Sequence, residues 1–288
     1  MREGQAMRIK TKTQVMELIK RVIATIVLSL IAVFMILPFI WMLSTSFKTS
    51  KEVFVYPVQW IPTQFHFENY VRIWTGKDPL TTYYINSAIT TFIPIFFGVI
   101  TCSLAAYGFT KIRFKGREAL FFGYVALMMI PPQILFIPKF LMFKSMGIYN
   151  THLALILPHC VSIFGVFLMR QNFLSIPMEL NEAAIVDGAG ELQIYARIIL
   201  PQAKPIIASF CILAFTWYWN DFENPLIFIS KQKLYTVPLA LNKFVLEDGV
   251  DYPDMMAVAA SGVLPIIVVF LFAQKYIIES IATSGIKG

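Results

Sequence analysis

IPMELNEAAIVDGAGELQIYARIILPQAKP, residues 176–205, is the stretch on which the reading of this chain turns. It lies between two strongly apolar segments, yet it carries Glu179, Glu182, Asp187 and Glu191 within thirteen residues. Pro177 suits the first turn of a helix, where its missing N–H costs nothing, and Gly188 suits a C-terminal stop. A second short helix is expected from about Glu191 until Pro201 blocks it, because the residue ahead of a proline is pushed out of the α region. Leu192, Tyr195 and Ile198 or Ile199 recur at helical spacing and make one apolar stripe. Both helices are far too short to cross a bilayer. The stretch therefore reads as two stubby amphipathic helices, hinged at Gly188 and held at a membrane surface.

Composition says what surrounds them. Of 288 residues, 57% are hydrophobic and 14% charged, against about 25% charged in a soluble domain. An integral membrane protein follows. The net charge of +7 could suit nucleic acid, but the basic residues cluster beside apolar spans, where topology explains them and no nucleic-acid partner is needed. Cys102, Cys160 and Cys211 sit within apolar segments and read as small core residues, with no disulfide or metal pattern. His66, His152 and His159 are too scattered for a metal site. His152 and His159 could share a helix face, with interfacial packing the preferred use.

The expected fold is all-α, a polytopic membrane protein with six transmembrane helices. A basic tail, 1–21, carries Arg2, Arg8, Lys10, Lys12, Lys20 and Arg21. Residues 22–43 carry no charge, enough to span about 30 Å of hydrocarbon. A signal peptide would have a shorter apolar core and a small-residue cleavage site, so this is read as a retained first helix, kinked near Pro38. The long polar-aromatic loop 44–84 follows. The other spans are expected at 85–109, 119–143, 153–169, 206–229 and 255–278. The third is interrupted by Pro131-Pro132 and Pro138-Lys139, which implies broken helix geometry. The corresponding units are the 1–21 tail, 22–84, a five-helix core over 85–279 with a cytoplasmic loop at 171–205, and a 280–288 tail. Six spans put both termini on one side, and that side carries fifteen Lys and Arg against nine opposite. The N-terminus, the turn with Lys111, Arg113, Lys115 and Arg117, the 171–205 loop and the C-terminus are thus expected in the cytoplasm.

Glu182-Ala183-Ala184, then Asp187-Gly188-Ala189, then Ile198, Leu200 and Pro201 resemble the EAA loop of permease subunits in ABC importers. WNDFENPLIF (219–228) and the tail SGIKG resemble the carbohydrate branch, the maltose-type, binding-protein-dependent inner-membrane permeases. The likeness runs from WIPTQFHFENY (60–70) to the end. It implies a type I ABC importer permease fold in the bacterial plasma or inner membrane. In such a loop Ala183 and Ala184 would let the helix sit deep in a partner's groove, while Glu182 offers a charge to an Arg or Lys there. Glu182, Ala183, Ala184, Asp187 and Gly188 are the ATPase-coupling candidates. An ordinary amphipathic hairpin is the alternative, and the full spacing favours coupling. The implied partners are a sister permease, two ATPase subunits (or an ATPase homodimer), an extracellular solute-binding protein, a sugar and the bilayer. ATP and Mg would be bound by the ATPase, and no cofactor is expected in this chain. Glu223-Asn224 departs from the branch, which often has bulky apolar residues there.

No G-x-x-x-x-G-K-[ST] phosphate loop occurs, nor a nucleophile–base set, so the chain reads as a translocation subunit without catalytic residues. Charged residues inside spans usually face a cavity or a partner. Trp219, Asn220 and Asp221, beside Trp217 and Tyr218, are candidates for the substrate path. Aromatic faces with amides and carboxylates suit sugars, which present C–H faces and many hydroxyls. An interfacial belt and helix cap is the competing reading. Asn86, with Ser87, and Gln133 beside the double proline are further candidates. A glycerol phosphate or polyol permease is the near alternative. An ion-coupled secondary transporter would favour inverted repeats, and no convincing repeat is seen; a membrane-embedded enzyme lacks its reacting set.

Overall fold

The computed structural model describes residues 2–246 and 251–285, and every regular element among them is helical. The last three residues of the SGIKG tail, and 247–250, lie outside the described residues. In chain order the α-helices are α1 (Arg2–Ser46), α2 (Glu68–Thr75), α3 (Leu80–Thr110), α4 (Arg117–Ala126) and α5 (Phe136–Ser145). They continue with α6 (Leu153–His159), α7 (Ile163–Ser175), α8 (Glu179–Val186), α9 (Glu191–Ile194), α10 (Leu200–Gln202) and α11 (Lys204–Trp219). The last are α12 (Glu223–Phe228), α13 (Val237–Leu246) and α14 (Tyr252–Gly285).

Among the described residues four helices are long and apolar enough to cross a membrane: Met16–Ser46, Leu80–Thr110, Leu153–Ser175 and Tyr252–Gln274. Two bent pairs, Arg117–Met129 with Pro132–Ser145 and Glu191–Gln202 with Lys204–Trp219, raise the number to six if each pair is one span. By length and composition the described residues thus hold four to six candidate spans, where six were expected. The third breaks at Pro131, with a bend of 91°, because two adjacent prolines remove two N–H donors and bar the preceding residue from α geometry. The fourth pauses between His159 and Ile163, where Ser162 restarts the helix by accepting from the Gly165 N–H at 3.0 Å. The fifth ends at Trp219 rather than running to 229; Asn220 and Asp221 lie in the break before α12. The first helix, by contrast, has no boundary near residue 21. Lys20 and Glu17 pair one turn apart at 3.5 Å, and charged residues of this kind continue a helix as readily as apolar ones.

The chain forms two compact units, Met1–Tyr70 with Asp251–Ala260, and Val71–Val250 with Ser261–Gly288. In the first, the segment after α1 is folded on itself rather than loose. Asn69 Nδ2 donates to the Ser46 and Lys48 carbonyls at 2.9 Å each, and the fully buried Lys48 stacks its ammonium over Trp41 at 4.5 Å and donates to the Gln59 carbonyl. Phe47 packs between Phe65, Phe67 and Tyr70.

The second unit is built on α3. Its core joins Cys102, Ala106 and Tyr107 of α3 to Val166, Met169 and Phe173 of α7 and to Phe210, Ala214 and Phe215 of α11. The three helices meet at Gly165, where a Cβ would lie 2.6 Å from the Phe210 ring and 2.8 Å from Cys102 Sγ. At the end of α3 nearest residue 110, buried Arg170 donates to both Glu118 oxygens at 2.8 and 2.7 Å and to the Phe109 carbonyl at 3.3 Å, with its guanidinium 4.0 Å above the Phe121 ring. This ties the base of α7 to α3 and α4. Arg170→Met would strand the Phe109 carbonyl and lose the charge-assisted bonds to Glu118, so the purified chain should lose about 2 kcal/mol, read as a lower thermal midpoint. An unchanged midpoint would mean solvent replaces these bonds.

Candidate functional site

The acidic stretch folds as expected into short helices around Gly188. Pro177 falls just ahead of α8 rather than inside its first turn, and the Met178 carbonyl takes the first helical bonds. The helix ends in a left-handed turn: Gly188 has φ +82°, its N–H reaches the Ile185 carbonyl at 3.0 Å, and the Ala189 N–H reaches the Ala184 carbonyl at 2.9 Å. These are the two bonds of a Schellman cap, in which a residue without a Cβ is strongly favoured at the left-handed position.

The cap fixes which side of α8 looks inward. Ala184 and Asn181 are buried, whereas Glu182, Ala183, Asp187 and Gly188 are exposed. Leu180, Ile185 and Val186 are exposed with them, Val186 at 87%. Of the two alanines, then, one packs on this chain's own core and the other is free to meet a partner. Arg113 Nη2 lies 3.9 Å from Glu182 Oε1, but both side chains are well exposed, and such a pair holds little energy against solvent.

The following segment differs from expectation. It runs from Glu191 through Pro201 to Gln202, with residues 195–199 wound as a π turn in which the Leu200 N–H reaches the Tyr195 carbonyl. A proline ring at 201 would clash with the carbonyl four residues back in a regular helix, and the wider turn relieves this. The break comes later, at Ala203, and the chain turns 76° into α11. The extra residue also shifts the inward face. Ile194 and Ile199, five apart, are fully buried, while Leu192 is 74% exposed and leaves the stripe proposed for it.

The hairpin is held to α3 by polar contacts. Tyr107 donates its hydroxyl to Glu191. Ser103 Oγ and the Tyr195 hydroxyl share a bond of 2.7 Å, and the rings of Tyr107 and Tyr195 meet edge to face at 5.5 Å. Lys111, buried, donates from Nζ to the Ile176 carbonyl at 2.6 Å. Burial holds the Lys111 pKa below the ordinary lysine value, with the charge of Glu179 pulling the other way. Read from sequence, Lys111 counted only as a charge of the basic turn, and Ser103 and Tyr107 carried no reading. Their signal was a polar group every fourth residue, 103, 107 and 111, at the end of an apolar span.

The candidates for the substrate path are not all alike. Asn86 is buried, and its Nδ2 donates to the Lys233 and Tyr235 carbonyls at 2.9 Å each. Neighbouring Ser87 accepts from the Val237 N–H at 2.8 Å. Trp219 is buried against Phe215 and Tyr84 and donates to the Gly262 carbonyl at 3.0 Å. Asn220 is exposed and bonds back to the Thr216 carbonyl at 2.8 Å. Asp221, half-buried, accepts from the Asn224 N–H at 3.2 Å and from Asn224 Nδ2 at 3.1 and 2.9 Å. It therefore caps the start of α12. Gln133 is exposed and reaches Glu223 at 3.5 Å. The Glu223 that departs from the carbohydrate branch thus bridges the broken third span and α12. The Trp217–Tyr218–Trp219 run does not act as one surface: Tyr218 stacks on His159 at 4.4 Å, and Trp217 turns to Phe164.

Comparison with known proteins bears on this arrangement. The family of binding-protein-dependent transport system inner membrane components matches residues 95–282. The probable ABC transporter permease protein YurM of Bacillus subtilis (strain 168) is 35% identical, over 87% of this chain and 83% of its own. The melibiose/raffinose/stachyose import permease protein MelC of the same organism is 32% identical, over 92% of this chain and 96% of its own. The solved structure of a bacterial ABC transporter involved in the import of the acidic polysaccharide alginate superposes with a TM-score of 0.81 at 24% identity, covering 90% of this chain and 96% of that one, a likeness of fold. The helical chain built around α3 and its capped acidic hairpin belongs to the inner-membrane components of binding-protein-dependent transport systems, the permease subunits of ABC importers, and is not itself an ATPase.

Proposed function

We propose that this permease moves a sugar or oligosaccharide delivered by an extracellular binding protein, and that the hairpin from Glu179 to Gln202 receives the force of a separate ATPase. One observation carries the coupling reading. The hairpin is anchored on its inner side, yet leaves Leu180, Glu182, Ala183, Ile185, Val186 and Asp187 facing outward. An exposed apolar patch with a charge at its centre is what a docking surface offers. The excess of Lys and Arg on the same side supports a cytoplasmic hairpin and cytoplasmic termini. The sister permease and the two ATPase subunits complete the assembly, with ATP and Mg held by the latter. The carbohydrate reading draws on MelC, whose own substrates are melibiose, raffinose and stachyose.

Of the candidates for the path, exposed Asn220 and Gln133 and half-buried Asp221 are the ones whose exposure suits contact with substrate, while buried Asn86 and Trp219 are taken up by backbone carbonyls and would act on a path only through packing. Asp221→Asn keeps the cap acceptor and removes the charge. Uptake should change about threefold in rate or half-saturation with assembly intact, as read by transport kinetics; unaltered kinetics would leave Asp221 a cap alone.

The reading is tested by reconstituting the chain with its sister permease, ATPase and binding protein in proteoliposomes. A panel of labelled disaccharides, trisaccharides and glycerol phosphate would then be offered. Uptake of a saccharide that needs internal ATP and survives dissipation of ion gradients is the expected result. Uptake of glycerol phosphate alone would move the substrate class, and uptake driven by an ion gradient would overturn the reading.

A further inference from the structure

Ser103, Tyr107 and Lys111 stand four residues apart and therefore form one line along α3. Each bonds to a different point of the acidic hairpin: Lys111 to the Ile176 carbonyl just before α8, Tyr107 to the Glu191 carboxylate at the start of α9, and Ser103 to the Tyr195 hydroxyl in the π turn. The chain is thus fastened to α3 and its C-cap Lys111 three residues before α8 and again from five residues after it, at intervals of about 6 Å along the helix axis. On the α3 side Lys111, Ser103 and Tyr107 are all buried; on the hairpin side the Ile176 carbonyl is buried with Lys111, whereas Glu191 is exposed and Tyr195 half-buried. Interactions of this kind resist shear, which exposed ion pairs such as Arg113 with Glu182 do not.

We infer that the line Ser103–Tyr107–Lys111 is the linkage through which displacement of the hairpin enters the membrane, so that α3 moves as one body with α8 and α9. This rests on the proposed docking of an ATPase to the hairpin and says where that movement goes. The three side chains are positioning residues; they meet neither nucleotide nor substrate. Packed helices transmit small shifts because their contacts have discrete arrangements. A hairpin that slid on α3 would lose its force at the first interface.

The test uses the assembled transporter with Cys102, Cys160 and Cys211 replaced by serine and Ile85→Cys introduced. Ile85 is exposed near the opposite end of α3, and the probe is Mg-ATP with vanadate. With the line intact, nucleotide should change the rate at which a membrane-impermeant maleimide labels this cysteine by about fivefold or more. Tyr107→Phe combined with Lys111→Met should abolish that change while the ATPase still co-purifies and still traps nucleotide. Lys111→Arg, which keeps a donor, should preserve it. Survival of the full nucleotide effect in the double variant would overturn the linkage. So would the absence of any effect in the intact chain when the ATPase is bound and traps nucleotide. Failure of the ATPase to co-purify with the intact chain would instead strike the docking reading, and the linkage with it.

Discussion

Glu182→Lys is expected to lower ATP-driven uptake by about tenfold or more, equivalent to ~1.4 kcal/mol of lost coupling, while the chain inserts and accumulates normally. The side chain is exposed and its contact with Arg113 is long, so reversing its charge costs this chain little by itself. Whatever effect appears must arise at a surface Glu182 shares with another polypeptide. A cationic groove that accepts a carboxylate repels an ammonium, and like charges brought together at an interface cost several times what a rim pair contributes. Uptake in vesicles, normalised to the amount of assembled transporter, is the measurement. Normal uptake by the lysine variant would remove the proposed docking contact. Ala183→Leu provides a check of shape rather than charge and should act in the same direction, because Ala183 is exposed while Ala184 is already committed to the core.

Gly165→Leu should have the largest effect on the protein itself. A Cβ at this position already lies inside the contact distance of both Phe210 and Cys102, and both neighbours are fully buried. Forcing a four-carbon side chain between α3, α7 and α11 is expected to cost about 3 kcal/mol, a large share of the ~5–15 kcal/mol by which a fold is stable. The expected result is little assembled transporter at growth temperature, measured by fluorescence-detected size exclusion, with Gly165→Ala intermediate. Recovery of a normal yield for the leucine variant would show that these helices separate more easily than their packing implies.

How much of this could be read from residues alone depends on the range of the forces involved. The acidic hairpin was legible because its signals are local: four carboxylates in an apolar chain, a glycine at the stop and lengths too short to span. The broken third span was legible for the same reason, since two adjacent prolines act on their own neighbours. Pro201 misled because the rule assumed a regular helix; a π turn at 195–199 absorbs the proline and rotates Leu192 out of the inward stripe. The fifth span was drawn too long because PLIF, residues 225–228, is apolar, although the chain turns at Asn220 and builds a separate helix capped by Asp221. The bonds that fasten the hairpin to α3 join residues 65 to 92 positions apart. No periodicity within one segment reports such a meeting, and only the assembled core brings the partners together.

The claim on which the rest depends is that the exposed face of α8 lies in the cytoplasm and is covered by an ATPase. Val186, the most exposed large apolar residue of that face, provides the direct probe. Val186→Cys should react with an impermeant maleimide in inside-out membrane vesicles and not in right-side-out ones, and binding of the ATPase should slow that reaction about tenfold or more. Labelling from the outer side, or labelling indifferent to the ATPase, would contradict the account.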